Sequence, residues 1–258
     1  MIPKKLHYAW FGGEKPKYLI DNIQSWEKFL PDYEIIEWND KNWDINQYLF
    51  SKYFYENGKY GFVVDPLRVD VLKKYGGIYI DADVTLTQNI DKFLQSPLFM
   101  GMHFTNAVGT ALIGSEKDNK VITELYEFYK NISYEKLLDK DFDKVSNGVF
   151  TRYLVKNYPE FRMTNKTQKL SDGTMIYPKQ YFVLPAIINR HNYAIHANEG
   201  SWKNKGNVEG KIKIEGEHSA IKQIFRWMLG PTLMSWRLNQ KQMQRNSLYQ
   251  LYLKRGKK

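Results

Sequence analysis

The chain has 258 residues, of which 43% are hydrophobic and 16% aromatic; it contains no cysteine, and its formal net charge is +10. This composition excludes a disordered protein, and the lack of cysteine excludes disulfides and thiolate metal sites, so a reducing compartment is expected. The first residues do not form a signal peptide, and no stretch approaches the ~20 apolar residues of a membrane span.

Strands and helices alternate along the first 155 residues. In chain order the predicted elements are a strand at 5–11, a helix at 21–29, a strand at 33–38, a helix at 65–75, strands at 78–80, 99–102 and 111–114, and helices at 121–130 and 145–155. This order predicts an α/β fold with a mostly parallel central sheet flanked by helices. The glycines after the first strand do not form a dinucleotide-binding fingerprint, and no phosphate-binding Walker loop is present.

The segment 62–83 is the most informative part of the chain. Asp65 is predicted to cap the helix at 65–75, with Pro66 in its first turn and Gly76-Gly77 as its left-handed end. A short apolar strand at 78–80 then leads directly to Asp81 and Asp83. The segment therefore delivers two carboxylates at the exit of a buried strand.

Two carboxylates in this position favour a divalent-metal site. Alternation along an extended chain points Asp81 and Asp83 to the same side, and carboxylate oxygens suit Mg²⁺ or Mn²⁺. Ligands of open α/β sheets bind at the carboxyl ends of the strands, where this pair is expected. Taken alone, the same pattern also fits the start of an ordinary polar loop.

Three motifs together resemble the DXD sugar-transferase family. They are the N-terminal segment 2–13, Asp65-Pro-Leu-Arg68, and Gly76-Gly-Ile-Tyr-Ile-Asp-Ala-Asp83. The family includes bacterial capsular polysaccharide transferases and fungal mannosyltransferases, and it is related to the glucosylating domains of large clostridial toxins. The resemblance covers roughly residues 2–205 and implies a GT-A-like nucleotide-binding fold in which a metal ion holds the donor diphosphate.

The resemblance also implies roles for single residues. Asp83 matches a direct metal ligand, and Asp81 a residue that contacts the donor and the metal shell. The further implied donor-site residues are Asp65 and Arg68 at the sugar, Tyr79, and Ala9, Trp10 and Phe11 around a uridine or guanosine ring. Core packing is the competing use of Tyr79 and Trp10, and a helix cap with a surface ion pair is that of Asp65 and Arg68.

A later landmark is the segment 193–203. His196 is expected as a third metal ligand, and Ser201, Trp202 and Lys203 are expected near the donor phosphates. Two asparagines, Asn106 and Asn147, match positions that face the sugar or the acceptor, although a loop turn explains Asn147 equally well.

The positive charge is concentrated in residues 218–258. This extension carries nine basic residues and no acidic one, whereas residues 1–217 have 29 basic against 28 acidic residues. We therefore divide the chain into a GT-A-like domain at 1–217 and a basic, amphipathic, helical extension at 218–258. An anionic membrane surface is the favoured partner of the extension; packing on the core and nucleic-acid binding are the alternatives.

The sequence thus predicts a glycosyltransferase that depends on Mn²⁺ or Mg²⁺. The resemblance implies retention of anomeric configuration, a UDP-linked donor in preference to a GDP-linked one, and a glycan or lipid-linked oligosaccharide acceptor in bacterial capsular or other surface polysaccharide synthesis. A cytoplasmic enzyme, peripheral at the inner face of the cell membrane, is expected. The alternatives are a metal-dependent sugar-nucleotide hydrolase or phosphotransferase and a non-catalytic basic module that binds membrane or nucleic acid.

Overall fold

A computed structural model describes residues 1–11, 13–104, 106–139, 142–183, 191–197 and 247–255. Its strands are β1 Lys5–Ala9, β2 Glu34–Trp38, β3 Gly77–Ile80, β4 Val84–Leu86, β5 Leu98–Phe104, β6 Ala107–Ser115, β7 Gln168–Lys169, β8 Met175–Tyr177 and β9 Ala194–His196. Its α-helices are α1 Lys17–Phe29, α2 Leu49–Glu56, α3 Tyr60–Tyr75, α4 Lys120–Lys130, α5 Tyr134–Leu138, α6 Ser146–Asn157 and α7 Ser247–Arg255.

Seven of these strands form one sheet in the order β2-β1-β3-β6-β5-β8-β7, and β4 pairs with β9 in a second, two-stranded sheet. In the large sheet β1 runs parallel to β2 and β3, and β5 runs parallel to β8. Strand β6 is antiparallel to both β3 and β5, and β7 is antiparallel to β8. Five of the seven strands therefore point the same way, which confirms the predicted α/β class with a mostly parallel central sheet.

The two faces of the large sheet are covered by separate hydrophobic clusters. In β3, Tyr79 packs into the cluster formed with α2, α3, α4 and α6, whereas Ile78 and Ile80 pack into the cluster that contains Leu19 and Trp26 of α1. This alternation follows from the period of two along a strand. Because β3 is buried on both faces, its apolar run reads as continuous in the sequence.

Helix α3 begins earlier than the sequence predicts. Its N-cap is Lys59, so Asp65 does not cap the helix and Pro66 lies inside it. The extra turn is stabilised by packing, because Phe62 stacks on Phe54 of α2 at 4.5 Å between ring centres and Val63 is fully buried. This hydrophobic contact outweighs the backbone hydrogen bond that a proline cannot donate within a helix.

The predicted end of α3 is confirmed. Gly76 and Gly77 have φ values of +64° and +103°, which residues with a side chain rarely adopt. A Cβ on Gly77 would also lie 2.6 Å from the carbonyl oxygen of Lys5, so β3 could not approach β1 as it does. The two glycines therefore allow the chain to turn from α3 directly into the centre of the sheet.

The last described helix, α7, packs against the core. Leu248 is buried, and the guanidinium of Arg255 donates hydrogen bonds to the carbonyl oxygens of Val155, Tyr158 and Phe161 at 3.2, 2.8 and 2.7 Å. Arg255 thus satisfies carbonyl groups at and beyond the end of α6.

The rest of the basic extension, and the predicted division at residue 217, lie outside the described residues. Among the helices that the structure describes, none is long and apolar enough to cross a membrane.

Candidate metal centre

A tight turn joins β3 to β4 and carries both acidic residues. The backbone N–H of Asp81 donates to the carbonyl of Ala111 at 2.8 Å, and the N–H of Val84 donates back to the carbonyl of Asp81 at 3.1 Å. The sequence correctly predicts that the Asp81 and Asp83 carboxylates converge, but strand alternation is the wrong reason. Strand β3 ends at Ile80, and the convergence results from the turn that follows it.

The small sheet brings a third side chain to this turn. Val84 of β4 is in register with His196 of β9, and the N–H of Ala197 donates to the carbonyl of Asp83 at 3.0 Å. As a result, Nε2 of His196 lies 3.1 Å from Oδ1 of Asp83. Two residues more than a hundred positions apart therefore meet because β4 and β9 pair.

Together these residues have the donor set and the spacing of a divalent-metal site. One ligand atom each from Asp81, Asp83 and His196 lies within 4.8 Å of the other two. Their side chains are 24%, 16% and 14% exposed, so the cluster is accessible from one side. Two carboxylates and one imidazole suit Mn²⁺, and the carboxylates alone suit Mg²⁺. The structure therefore brings together the three residues predicted as metal ligands, and their binding of an ion stays a prediction.

Electrostatics also favour a cation between these groups. Burial raises the pKa of Asp81 above its ordinary value, and the charge of Asp83 raises it further, against the opposing effect of Arg68. For His196, burial acts to lower the pKa, but the hydrogen bond with Asp83 and the charges of Asp83 and Asp81 together outweigh it, and the pKa is raised. The charge of Asp83 raises both pKa values, so negative charge gathers between these groups, and a bound cation would compensate it.

Arg68 holds Asp81 from the buried side of the site. Its Nη2 lies 3.2 Å from Oδ1 of Asp65 and 3.3 Å from Oδ1 of Asp81, and its Nη1 donates to Oγ of Ser146 at 2.8 Å and to the hydroxyl of Thr110. Only 3% of the Arg68 side chain is exposed. The arginine thus reaches the cluster through Asp81, and its predicted contact with a donor sugar stays a prediction.

Asp65 is the second buried member of this network. Burial raises the pKa of Asp65 to about 7, although the nearby guanidinium of Arg68 and a hydrogen bond with Ser146 act to lower it. Its carboxylate is 5% exposed and faces Arg68, so it neither caps a helix nor forms a surface ion pair. Its predicted role at the sugar also stays a prediction.

The remaining described candidates lie around this network. Tyr79 is buried in the core with the Arg68 guanidinium 5.0 Å from its ring centre, and Asn147 Oδ1 accepts from the N–H of Thr110 at 3.0 Å. Asn106 is buried, and its side-chain nitrogen has no hydrogen-bond partner among the described residues. Thr110, which links Arg68 to Asn147, is a residue that sequence reasoning missed, since a threonine within a strand carries no distinctive signal.

The predicted nucleotide contacts lie at the end of β1 and directly after it. The register of β1 with β3 brings the carboxyl ends of the two strands to the same edge of the sheet. Ala9 and Phe11 are buried, whereas Trp10 is half-buried and its indole donates to the carbonyl of Gly13 at 3.0 Å. Their contact with a base stays a prediction. The predicted phosphate-side residues Ser201, Trp202 and Lys203 lie outside the described residues.

Comparison with known proteins finds similarity to glycosyltransferases in the region that contains Asp81 and Asp83. Residues 16–100 match the family described as the glycosyltransferase sugar-binding region containing a DXD motif. The chain is 27% identical over 134 residues to inositol phosphoceramide mannosyltransferase 3 of Schizosaccharomyces pombe, covering 48% of this chain and 36% of the relative. It is 29% identical over 204 residues to mannosyl phosphorylinositol ceramide synthase SUR1 of Saccharomyces cerevisiae, covering 75% of this chain and 49% of the relative.

A viral protein and a solved structure extend the comparison. Uncharacterized glycosyltransferase L373 of Acanthamoeba polyphaga mimivirus is 26% identical over 230 residues, covering 78% of this chain and 84% of that protein. The solved PaToxG glycosyltransferase is 19% identical with a TM-score of 0.49, covering 61% of this chain and 70% of that one. The chain spans between a third and a half of the length of the two fungal relatives above.

Proposed function

We propose that this chain is a glycosyltransferase with a DXD motif, which transfers a sugar from a nucleotide-sugar donor to a glycan or lipid-linked acceptor with the help of a divalent metal ion. The observation that carries the proposal is the cluster of Asp81, Asp83 and His196 at the carboxyl edge of the sheet. Ligands of open α/β sheets bind at this edge.

The described side chains support a division of labour in this reaction. Asp81, Asp83 and His196 would hold the ion, and Arg68 keeps Asp81 in place through its bonds to Asp65 and Ser146. A divalent ion bound there supplies positive charge against the negative charge that builds on the departing diphosphate. Positioning of the acceptor and electrostatic stabilisation then account for most of the catalysis. We propose retention of the anomeric configuration, which NMR of the product tests directly.

The donor and the acceptor are proposed from the family and the relatives. We retain a UDP-linked sugar as the first donor and a GDP-linked sugar as the second. Because the fungal relatives are named as mannosyltransferases and mannosyl phosphorylinositol ceramide synthases, mannose is the sugar to test first with either nucleotide. A lipid-linked oligosaccharide of a bacterial capsule or other surface polysaccharide is the proposed acceptor.

We further propose that the protein works in the cytoplasm at the inner face of a membrane. The support is the charge of residues 218–258, which carry nine basic residues and no acidic one. Each basic residue near an anionic leaflet contributes about 1 kcal/mol. Since α7 packs on the core, the variant that tests this replaces Lys222, Arg226, Lys241 and Arg245 by glutamine and keeps α7 intact. Recovery on phosphatidylserine vesicles should fall; unchanged recovery would exclude the membrane role.

The transferase proposal is tested by calorimetric titration of UDP- and GDP-sugars into the protein with Mn²⁺ and then with EDTA. We expect one nucleotide sugar to bind when Mn²⁺ is present. The heat of binding should disappear when EDTA removes the ion. Asp83→Asn should abolish that binding, because it removes one charged oxygen donor from the cluster.

A matched control is Asp32→Asn, which makes the same chemical change at an aspartate that is 75% exposed. This variant should bind the nucleotide sugar as the wild type does. Absence of binding for every nucleotide sugar in the wild type, or wild-type binding by Asp83→Asn, would overturn the proposal.

A further inference from the structure

An irregularity in the pairing of β5 with β6 sets the position of His103. Met102 is in register with Val108, and Phe104 is in register with Ala107, so His103 is an extra residue on β5. A bulge of this kind bends the strand and re-aims a side chain, and such bulges are common beside active sites. His103 lies near the carboxyl end of its strand, at the edge of the sheet where Asp81 follows β3.

The neighbouring strand leaves room for this imidazole. A Cβ built on Gly109 of β6 would lie 3.3 Å from the Cβ of His103, which is closer than nine in ten real contacts of this type. A side chain at position 109 would therefore press on His103. Gly109 on β6 and the bulge on β5 together leave space for the imidazole of His103.

In this position His103 faces His196, the third proposed metal ligand. The ring centres of His103 and His196 are 5.8 Å apart, and the rings meet edge to face at 62°. Burial lowers the pKa of His103 to about 4; the charges of His196 and Lys179 lower it further, and that of Asp83 opposes them. An imidazole centre lies on the order of 3 Å from an ion that its nitrogen binds, so one ion between the two rings is within reach of both after a small rotation of the His103 side chain.

We propose that His103 is a further residue of the metal centre, providing a second imidazole that biases the site toward first-row transition-metal ions such as Mn²⁺ and Co²⁺ over Mg²⁺. This inference rests on the metal-dependent function proposed above and deepens it. Imidazole nitrogen is a good ligand for transition-metal ions, whereas Mg²⁺ keeps oxygen ligands and several waters. Loss of one imidazole should therefore affect the two classes of ion unequally.

The test compares the wild type with His103→Phe and His103→Gln by titration of Mn²⁺, Co²⁺ and Mg²⁺ into the metal-free protein. For both variants we expect the dissociation constants of Mn²⁺ and Co²⁺ to rise by at least about tenfold, and that of Mg²⁺ to change less than about twofold. Pulsed EPR of the Mn²⁺-loaded protein should detect two coupled imidazoles in the wild type and one in either variant. The glutamine variant keeps a polar side chain in case the phenylalanine variant does not fold.

His191→Phe is the matched control, because His191 is an exposed histidine whose ring stacks on Tyr181 at 5.7 Å. It should bind all three ions as the wild type does. If the His103 variants bind Mn²⁺ with unchanged affinity, or the wild type shows one coupled imidazole, the role of His103 is overturned while the transferase proposal stands. If the wild type binds no divalent ion, the metal-dependent function itself is overturned.

Discussion

The two halves of α3 carry the same local pattern and use it differently. In the first half, Asp65 pairs with Arg68 three residues on, and in the second half Asp70 pairs with Lys74 four residues on. Both aspartates are almost completely buried. Only 3% of the Arg68 side chain is exposed, however, whereas 47% of the Lys74 side chain is.

The partners beyond the helix make the difference. Arg68 also contacts Asp81 of the metal cluster, whereas Asp70 accepts a hydrogen bond from the indole N–H of Trp43 at 2.8 Å. At the end of the second half, the carbonyl of Gly76 bonds with the imidazole of His7 at 2.8 Å. Acid–base spacing on a helix therefore does not distinguish a site from a scaffold; the tertiary contacts of each pair do.

The largest effect should come from Arg68→Ala. This change leaves the buried carboxylate of Asp65 and the partly buried carboxylate of Asp81 without their counter-charge, which costs about 3–5 kcal/mol of unfolding free energy. Misplacement of Asp81 should also lower turnover by about 100-fold. Denaturant unfolding and a product assay measure the two effects.

Arg68→Lys is the companion variant, since it keeps the charge but loses the planar fork that bonds several oxygens at once. It should fold better than Arg68→Ala and still turn over slowly. Wild-type turnover in this variant would mean that the planar contacts of Arg68 do not serve the reaction. The first half of the helix would then be structural, like the second half.

The next effect concerns pH and His7. Burial lowers the pKa of His7 to about 4, below the ordinary value of 6.5, although its bond to the Gly76 carbonyl acts in the opposite direction. Below pH 6.5 the unfolded chain thus binds a proton that the folded chain does not, so stability is lost as the pH falls from 6.5 toward 4. The loss due to His7 at pH 4.5 should be about 2–3 kcal/mol.

Unfolding of the wild type and of His7→Gln at pH 7 and pH 4.5 checks this. The difference between the two pH values should shrink by about 2–3 kcal/mol in the variant, while turnover at pH 7 stays near that of the wild type. An equal pH dependence in both proteins would show that His7 does not remain neutral in the folded state.

A smaller effect is expected for Asp70→Ala. It leaves the buried indole N–H of Trp43 without its acceptor, which should cost about 1–2 kcal/mol of unfolding free energy. Turnover should change less than about twofold, since no contact in the described residues connects Asp70 to the metal cluster. Asp70→Asn keeps an acceptor oxygen and should recover most of the stability. A large loss of turnover at normal stability would make the second half of the helix part of the site.

The smallest effect should come from Lys74→Gln. The ammonium of Lys74 is half-exposed, and such ion pairs contribute less than about 1 kcal/mol. Unfolding at low and high salt should separate the wild type from the variant only slightly, and less at high salt. A loss as large as that of Asp70→Ala would mean that the charge pair, rather than the Trp43 bond, stabilises this half.

Much of the fold could be predicted because its signals are local. A continuous apolar run marks β3, hydrophobic periodicity marks α4, and the pair Gly76-Gly77 marks the end of α3. The alternation of strands with helices along the chain indicates an α/β fold with a mostly parallel sheet. The start of α3 was mispredicted because Phe62 and Val63 pack on α2, a contact that no local signal near Asp65 reveals.

The candidate site was predictable in part for the same reason. That Asp81 and Asp83 leave a buried strand together can be predicted from local sequence alone, because strand, turn and acids are consecutive. Three features depend on packing between distant elements: β9 brings His196 to Asp83, Thr110 and Ser146 hold Arg68, and a bulge turns His103 toward His196. Those contacts join residues far apart in the chain, and they form only when separate elements pack, so no local periodicity encodes them.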